Sequence, residues 1–238
     1  MESKLAKMVH GLNLLLLAGS IVCLIDYVMP GGWATKGMTS SWFVMIGLVN
    51  LRYAIKERIS KVTFACVIVI GLILGMLADI MLGKNFILGI VLFALGHIAY
   101  LLGFFLRAKP NKFDVICGAP IAVVSVIAVI GTPFIQVDEP ILEKMLIVYA
   151  VIIAAMLGKA ISNYCGDKSV TNKLILIGSA MFWFSDLMLA ANMFGNGGRV
   201  ASWLCSFTYW PGQCILAYAL YYYVRQRKIK KSEENIYE

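Results

Sequence analysis

The chain has 238 residues, 61% of them hydrophobic and 14% charged, with a mean hydropathy of +0.82. A soluble domain of this size would expose far too much apolar surface, so the composition excludes a soluble globular fold and points to a polytopic membrane protein. The net charge of +8 is accounted for by loop charges that set topology, and no nucleic acid is needed to explain it.

Eight apolar segments follow in chain order, at 8–28, 38–54, 62–82, 86–106, 113–132, 141–160, 173–193 and 200–224. Each is long enough to span a bilayer as a helix at ~1.5 Å per residue. The expected fold class is all-α, with eight transmembrane helices. The first segment lacks a charged n-region followed by a short apolar stretch and cleavage site, so it reads as a retained membrane helix. His10, Asn13, Leu17 and Ser20 share one of its faces, with His10 at the interface. The second segment is the weakest, because Thr39, Ser40, Ser41 and Asn50 lie within it.

The third segment carries Gly71, Gly75, Asp79 and Gly83 at four-residue spacing, a small-residue stripe for close packing with one carboxylate on it. The fourth aligns Gly89, Phe93, His97, Tyr100 and Phe104. His97 could bond a neighbour, orient a carboxylate or relay a proton. The sixth offers Tyr149, Met156 and Asn163 at heptad spacing and Lys159 near one end, which read as packing and snorkelling. The seventh holds Ser179, Phe182, Ser185, Asp186 and Asn192. Ser185 either back-bonds to its own helix or supports the acid. The eighth has Ser202, Ser206, Tyr209 and Gln213 on one polar face, with Pro211 expected to kink it.

Loop charges orient the chain. All but four of the 21 Lys and Arg fall on the side of the two termini: Lys4 and Lys7, Arg52 to Lys61, Arg107 to Lys112, Lys159 to Lys173, and Arg225 to Lys231. The exceptions, Lys36, Lys84, Lys144 and Arg199, fall one per loop on the opposite side. The positive-inside rule then makes both termini cytoplasmic and the number of spans even. The basic tail, 225–238, can also touch anionic membrane lipid. The six cysteines form no CxxC pair and read as small buried hydrophobes.

Two hexapeptides stand out. Residues 78–83 read Ala-Asp-Ile-Met-Leu-Gly and residues 185–190 read Ser-Asp-Leu-Met-Leu-Ala. A carboxylate inside a membrane-length apolar segment is expensive and marks a functional site. The two fall in the third segment of each half of the chain, as a parallel duplication of a four-helix unit over 1–110 and 111–225 would place them. Counted back from the non-cytoplasmic loops at the helical rise, Asp79 lies ~6 Å deep, Asp186 ~13 Å, and His97 and Tyr209 ~16 Å. A cavity opening to that face is expected. Lys36 and Arg199 in its loops either meet a phosphate there or are ordinary loop charges.

At these residues the chain resembles the YhhN-like family, the lysoplasmalogenases. The resemblance is carried by Ala-Asp-Ile-Met-Leu-Gly (78–83), Leu-Gly-His-Ile-Ala-Tyr-Leu-Leu-Gly-Phe (95–104), Val-Tyr-Ala-Val-Ile-Ile-Ala-Ala-Met (148–156), Phe-Ser-Asp-Leu-Met-Leu-Ala (184–190) and Tyr-Trp-Pro-Gly-Gln (209–213). The family usually has Gly where this chain has Ala78, and Lys-Pro where it has Lys36-Gly37. The resemblance implies a multi-pass hydrolase whose substrate is a lysophospholipid; the charge pattern is compatible with a bacterial cytoplasmic or an endoplasmic reticulum membrane. The hydrolase would cleave the sn-1 vinyl ether of lysoplasmalogens to a fatty aldehyde and glycerophosphoethanolamine or glycerophosphocholine.

Two carboxylates in different environments suit that reaction, by the logic of glycoside hydrolysis. Asp79 and Asp186 are the expected catalytic pair, with Asp186 the favoured proton donor. His97, Tyr100, Ser185, Tyr209 and Gln213 are the expected supporting residues, and Lys36 and Arg199 the candidate head-group contacts. No metal or other cofactor is required. With only His10 and His97 a three-histidine zinc site is impossible, whereas a carboxylate-rich site stays open. Intramembrane acids, a possible repeat and a proline-broken helix also fit a proton-coupled transporter, and a non-catalytic lipid-binding protein is a third reading.

Overall fold

In the computed structural model, the described residues are 4–130, 135, 137 and 139–234, without the side chain of residue 234. The last two positions of the expected fifth segment and the final four of the tail lie outside them. Among the described residues there are eight helices and no strand: α1 (Lys4–Val28), α2 (Lys36–Lys56), α3 (Val62–Leu82), α4 (Phe86–Arg107), α5 (Lys112–Ile130), α6 (Pro140–Gly166), α7 (Val170–Phe194) and α8 (Gly198–Glu234). Six of them, all but α2 and α8, are long and apolar enough to cross a membrane, the pattern of a multi-pass membrane protein. The two exceptions carry the polar side chains that the sequence already shows, Thr39 to Ser41 and Asn50 in α2, and the polar face and basic end of α8.

Local sequence sets the helix starts. Thr35 caps α2 by accepting from the Met38 amide, Asn85 caps α4 through Leu88, and Ser169 caps α7 through Asn172. Asp26 Oδ2 accepts the amides of Trp33 (3.0 Å) and Ala34 (2.8 Å), which fixes the turn leading into α2. α8 is one continuous helix through Pro211, and it runs on through the basic residues to Glu234. The segment expected to act as a tail from 225 is thus helical over most of its length.

Six helices close into a ring in the order α2, α3, α4, α6, α7, α8 and back to α2. α1 lies outside it against α2 and α8, and α5 lies outside it against α6. The ring interior holds the largest fully buried side chains, among them Phe43, Leu72, Tyr100, Phe104 and Phe182. The outward faces of α1 and α5 expose Leu15, Val22, Val115 and Val123. Apolar side chains on the outer faces as well as in the interior suit lipid, where helices associate by packing rather than by a hydrophobic difference. Small residues permit the closest approaches. A Cβ on Gly158 of α6 would lie 2.6 Å from the Gly118 nitrogen of α5, and one on Gly71 of α3 would enter the Tyr100 ring of α4.

Polar pairs lock the outer helices to the ring. Asn13 and Asn50 exchange amide hydrogen bonds (2.8 and 3.0 Å) between α1 and α2, and Asn50 Nδ2 also reaches the Ala217 carbonyl of α8. Between α5 and α6 the lock is ionic. Lys159 Nζ, fully buried, lies 3.0 Å from Asp114 Oδ2, donates to the Lys109 carbonyl and sits over the Phe105 ring. Lys159 is therefore not a snorkelling residue. Its ammonium turns inward because Asp114, on the first turn of α5, offers a counter-charge. Replacing Asp114 leaves the fully buried Lys159 ammonium without its counter-charge, which costs about 3–5 kcal/mol. Thermal unfolding in detergent is expected to show a clear loss of stability for Asp114→Asn, most of it recovered when Lys159→Met is added.

His10 bonds Tyr218 (2.6 Å) and stacks on Tyr221, a structural contact joining α1 to α8. The six cysteines are free thiols.

Candidate active site

Asp79 lies one turn before the end of α3 and is 5% exposed. Ser40 of α2 and Tyr209 of α8 (2.8 Å) both donate to its Oδ2. Ser40 is itself fixed by the Trp210 indole N–H at 3.0 Å. The small-residue stripe of α3 explains how α8 comes so near: a Cβ on Gly75 would lie 3.4 Å from the Tyr209 hydroxyl and 3.1 Å from Gln213 Nε2.

Asp186 sits deeper, two turns before the end of α7, and is held from the other two sides of the ring. His97 Nε2 of α4 lies 3.1 Å from its Oδ2, and the Tyr149 hydroxyl of α6 donates to the same oxygen. His97 and Tyr149 also contact each other at 2.8 Å. The imidazole packs on Phe182, ring centroids 4.4 Å apart, so it has little freedom to turn. Phe182 and Phe93 in turn pack on the Tyr209 ring, at 5.2 and 5.8 Å. An aromatic wall thus joins the surroundings of one acid to those of the other.

The two acids face a common space. One cavity is lined by both Asp79 and Asp186, with Lys36, Phe93, Asn192, Ser206 and Tyr209 around them. On one side it meets a wide mouth lined by Lys36, Lys84, Asp79 and Asn192. On the other it adjoins an apolar cavity between α4, α5, α6 and α7, which Asp186 and Phe93 also line. Leu82 and Leu189, each three residues beyond its aspartate, line all three spaces.

Of the residues singled out from the sequence, His97 and Tyr209 contact the acids directly. Ser185 donates to the Phe182 carbonyl of its own helix (2.6 Å) and reaches Asp186 Oδ1 only at 3.5 Å. Tyr100 donates to Gln213 Oε1 at 2.7 Å, a bond between α4 and α8 that involves neither carboxylate. Lys36 lines the mouth and the acid-lined cavity. Arg199 is exposed on the first turn of α8 and lines none of these three spaces. Lys84 stands at the mouth instead.

Three contacts escaped the sequence reading. Ser40 was visible only as part of the polar run that weakened the second segment. Trp210 adjoins the polar face of α8 but not its periodicity. Tyr149 shares a heptad face with Asn163, which does bond the Phe104 carbonyl in a packing role, and nothing in the spacing set the tyrosine apart. Among the described residues no group of three or more His, Cys, Asp and Glu gathers in the manner of a metal site.

The model of the YhhN family matches residues 31–220, and the chain belongs to that family. The match covers every helix of the ring, except the end of α8, and leaves out α1. Neither the curated proteins nor the solved structures give a match.

Proposed function

We propose that this member of the YhhN family is an integral membrane hydrolase that cleaves the sn-1 vinyl ether bond of lysoplasmalogens. The observation that carries the reading is the acid pair: two intramembrane carboxylates on the wall of one cavity, each held by its own set of donors. Vinyl ether hydrolysis needs what such a pair supplies. A proton adds to the β-carbon, the π electrons forming the new C–H bond, and the α-carbon becomes an oxocarbenium ion. A carboxylate beside it stabilises that cation and takes a proton as water adds. The hemiacetal then collapses. Its C–O bond to glycerol breaks, the electron pair leaves with the glycerol oxygen, and that oxygen takes the proton held by the second acid. The hemiacetal hydroxyl proton returns to the first, and the products are a fatty aldehyde and a glycerophospho-alcohol.

The neighbouring spaces support a division of labour. Asp186 borders the apolar cavity and Asp79 borders the charged mouth. A lipid with its phosphate at the mouth and its chain in the apolar space brings the β-carbon, the chain-side carbon, to Asp186. Asp186 is therefore the proton donor, and Asp79 stabilises the cation and activates water. His97 and Tyr149 orient Asp186, and Ser40 and Tyr209 orient Asp79. With eight spans and both termini cytoplasmic, the arrangement that the loop charges favour, the mouth opens on the non-cytoplasmic face.

The test is release of fatty aldehyde and glycerophosphoethanolamine in equal amounts from lysoplasmenylethanolamine by the purified protein in detergent. Folded protein that yields no aldehyde sinks the proposal. Lys36 and Lys84 give a further check, because they would act on the phosphate and not on the reacting bond. Lys36→Glu with Lys84→Glu is expected to raise KM roughly threefold to tenfold and leave kcat nearly unchanged. A fall in kcat alone would remove the lysines from head-group binding.

One observation favours a second reading. Asp79 on α3 is met from α2 and α8, and Asp186 on α7 from α6 and α4, which are the corresponding helices if 1–4 and 5–8 are repeats. Such paired halves also suit a proton-coupled carrier. Proton-dependent flux of a solute into vesicles without product formation would favour that function.

A further inference from the structure

The apolar cavity beside Asp186 differs from the other spaces around the acids in having almost no free polar group. Its Ser125 hydroxyl is used twice, donating to the Ile121 carbonyl (2.7 Å) and accepting from the Trp183 indole N–H (2.8 Å). The Tyr149 hydroxyl is engaged by Asp186 and His97. Apart from Asp186, where the wall is shared with the acid-lined space, the rest is aliphatic and aromatic, from Phe86 and Ile90 of α4 to Leu146 and Ile153 of α6. Water needs two to four polar partners to stay in such a space, so the cavity is dry or filled with hydrocarbon.

Its position says which hydrocarbon. The cavity stands wall to wall with the site: it shares Asp186 and Phe93 with the acid-lined space, Met193 with the mouth, and Leu82 and Leu189 with both. The mouth carries two lysines, Lys36 and Lys84. An occupant that satisfies both ends is an amphiphile with one anionic head and one chain. Along α7 the lining runs from Trp183 to Phe194, ~16 Å at the helical rise. The narrowest residues on the two long walls are Ala150 of α6 and Ala190 of α7.

We propose that this cavity is the binding site for the single hydrocarbon chain of a lysolipid, and that the small side chains at Ala150 and Ala190 set the longest chain it accepts. The proposal rests on the reading of the site as a lysolipid hydrolase. It can nonetheless be tested without turnover.

Trp183 lines the cavity and serves as the reporter. The probe is a saturated alkyl-ether lysophospholipid brominated along its chain, which has no vinyl bond to cleave. Titrated into the wild-type protein in nanodiscs, it is expected to quench a saturable part of the tryptophan fluorescence. That part is expected to vanish in Trp183→Phe and to weaken in Ala150→Phe. A brominated diacyl phospholipid is expected to leave the Trp183 component untouched. Absence of a Trp183 component, or equal quenching of it by the diacyl lipid, overturns the site.

Activity gives the second arm. Ala150→Phe and, separately, Ala190→Leu are expected to move the kcat/KM optimum to shorter chains, with at least a fivefold loss on the longest. An unshifted chain-length profile in both folded variants overturns the ruler. Saturable Trp183 quenching with no aldehyde from vinyl ether lipids would leave the chain site standing and remove the hydrolase reading. Aldehyde release without Trp183 quenching would do the reverse.

Discussion

Asp186→Asn is expected to abolish aldehyde release, and Asp79→Asn to do the same, each by at least the ~10²–10⁴-fold that a positioned acid or base contributes. The substitution is nearly isosteric, and its effect on the fold should be small. An asparagine carbonyl oxygen can still accept from Tyr149 at position 186, and from Ser40 or Tyr209 at position 79. What is lost is the transferable proton at one position and the negative charge beside the oxocarbenium ion at the other. Both variants should therefore unfold close to the wild-type temperature while turning over no substrate. The readout is aldehyde formed per enzyme, with thermal unfolding in the same detergent. Near-normal rates from both folded variants would remove the two-acid scheme.

The tyrosines that hold the acids give the next largest effect. Tyr149→Phe removes the hydroxyl that donates to Asp186, and Tyr209→Phe removes one of the two donors to Asp79. Hydrogen bonds to charged groups contribute about 1.5–3 kcal/mol, so each variant is expected to lower kcat roughly 10-fold to 100-fold. KM should stay within a factor of two or three, because neither tyrosine lines the mouth proposed for the head group. Tyr100→Phe is the internal control. Its hydroxyl bonds Gln213 and neither acid, and its loss is expected to change kcat by less than about threefold. An equal fall for Tyr100→Phe and Tyr149→Phe would mean that the tyrosines act through packing rather than through the carboxylates.

The acids were legible because hydrocarbon makes them conspicuous. No packing need explains a carboxylate at positions 79 and 186, so composition and position alone singled them out. Helix number and most helix limits were legible for the same reason: apolar length in lipid is a strong signal. Ring closure was not. The contact of α2 with α8 joins segments separated by almost the whole chain, and the sequence holds no local trace of it. For that reason Tyr149 and Ser40 read as packing or weakness. A tyrosine or serine in a membrane helix is common, and its role depends on which helix stands opposite. Lys159 was misread because snorkelling is the ordinary fate of a lysine near a helix end. Its partner Asp114 lies on another helix, at a separation that periodicity cannot show. Arg199 was named from the sequence for the head group and Lys84 was not; the start of α8 leaves the arginine exposed and off all three spaces, whereas Lys84, just past the end of α3, lines the mouth.

Pro211, expected to kink α8, sits inside a helix that runs on through it. The ring packing explains how: Gly212, the next residue, lies against the α7 backbone, where a Cβ would meet the Gly178 carbonyl at 3.1 Å. Close contact on that face supports the helix through the proline, in keeping with the tolerance of membrane helices for such residues.

The most direct test of the central claim is turnover of lysoplasmenylethanolamine in D₂O, with the aldehyde trapped at once by borohydride and examined by mass spectrometry. Proton donation from an enzyme acid to the β-carbon predicts one deuterium on the carbon next to the former carbonyl. It also predicts an equal yield of glycerophosphoethanolamine, and no product from Asp79→Asn or Asp186→Asn. Aldehyde without that deuterium, or labelled aldehyde from both variants at the wild-type rate, would contradict the account.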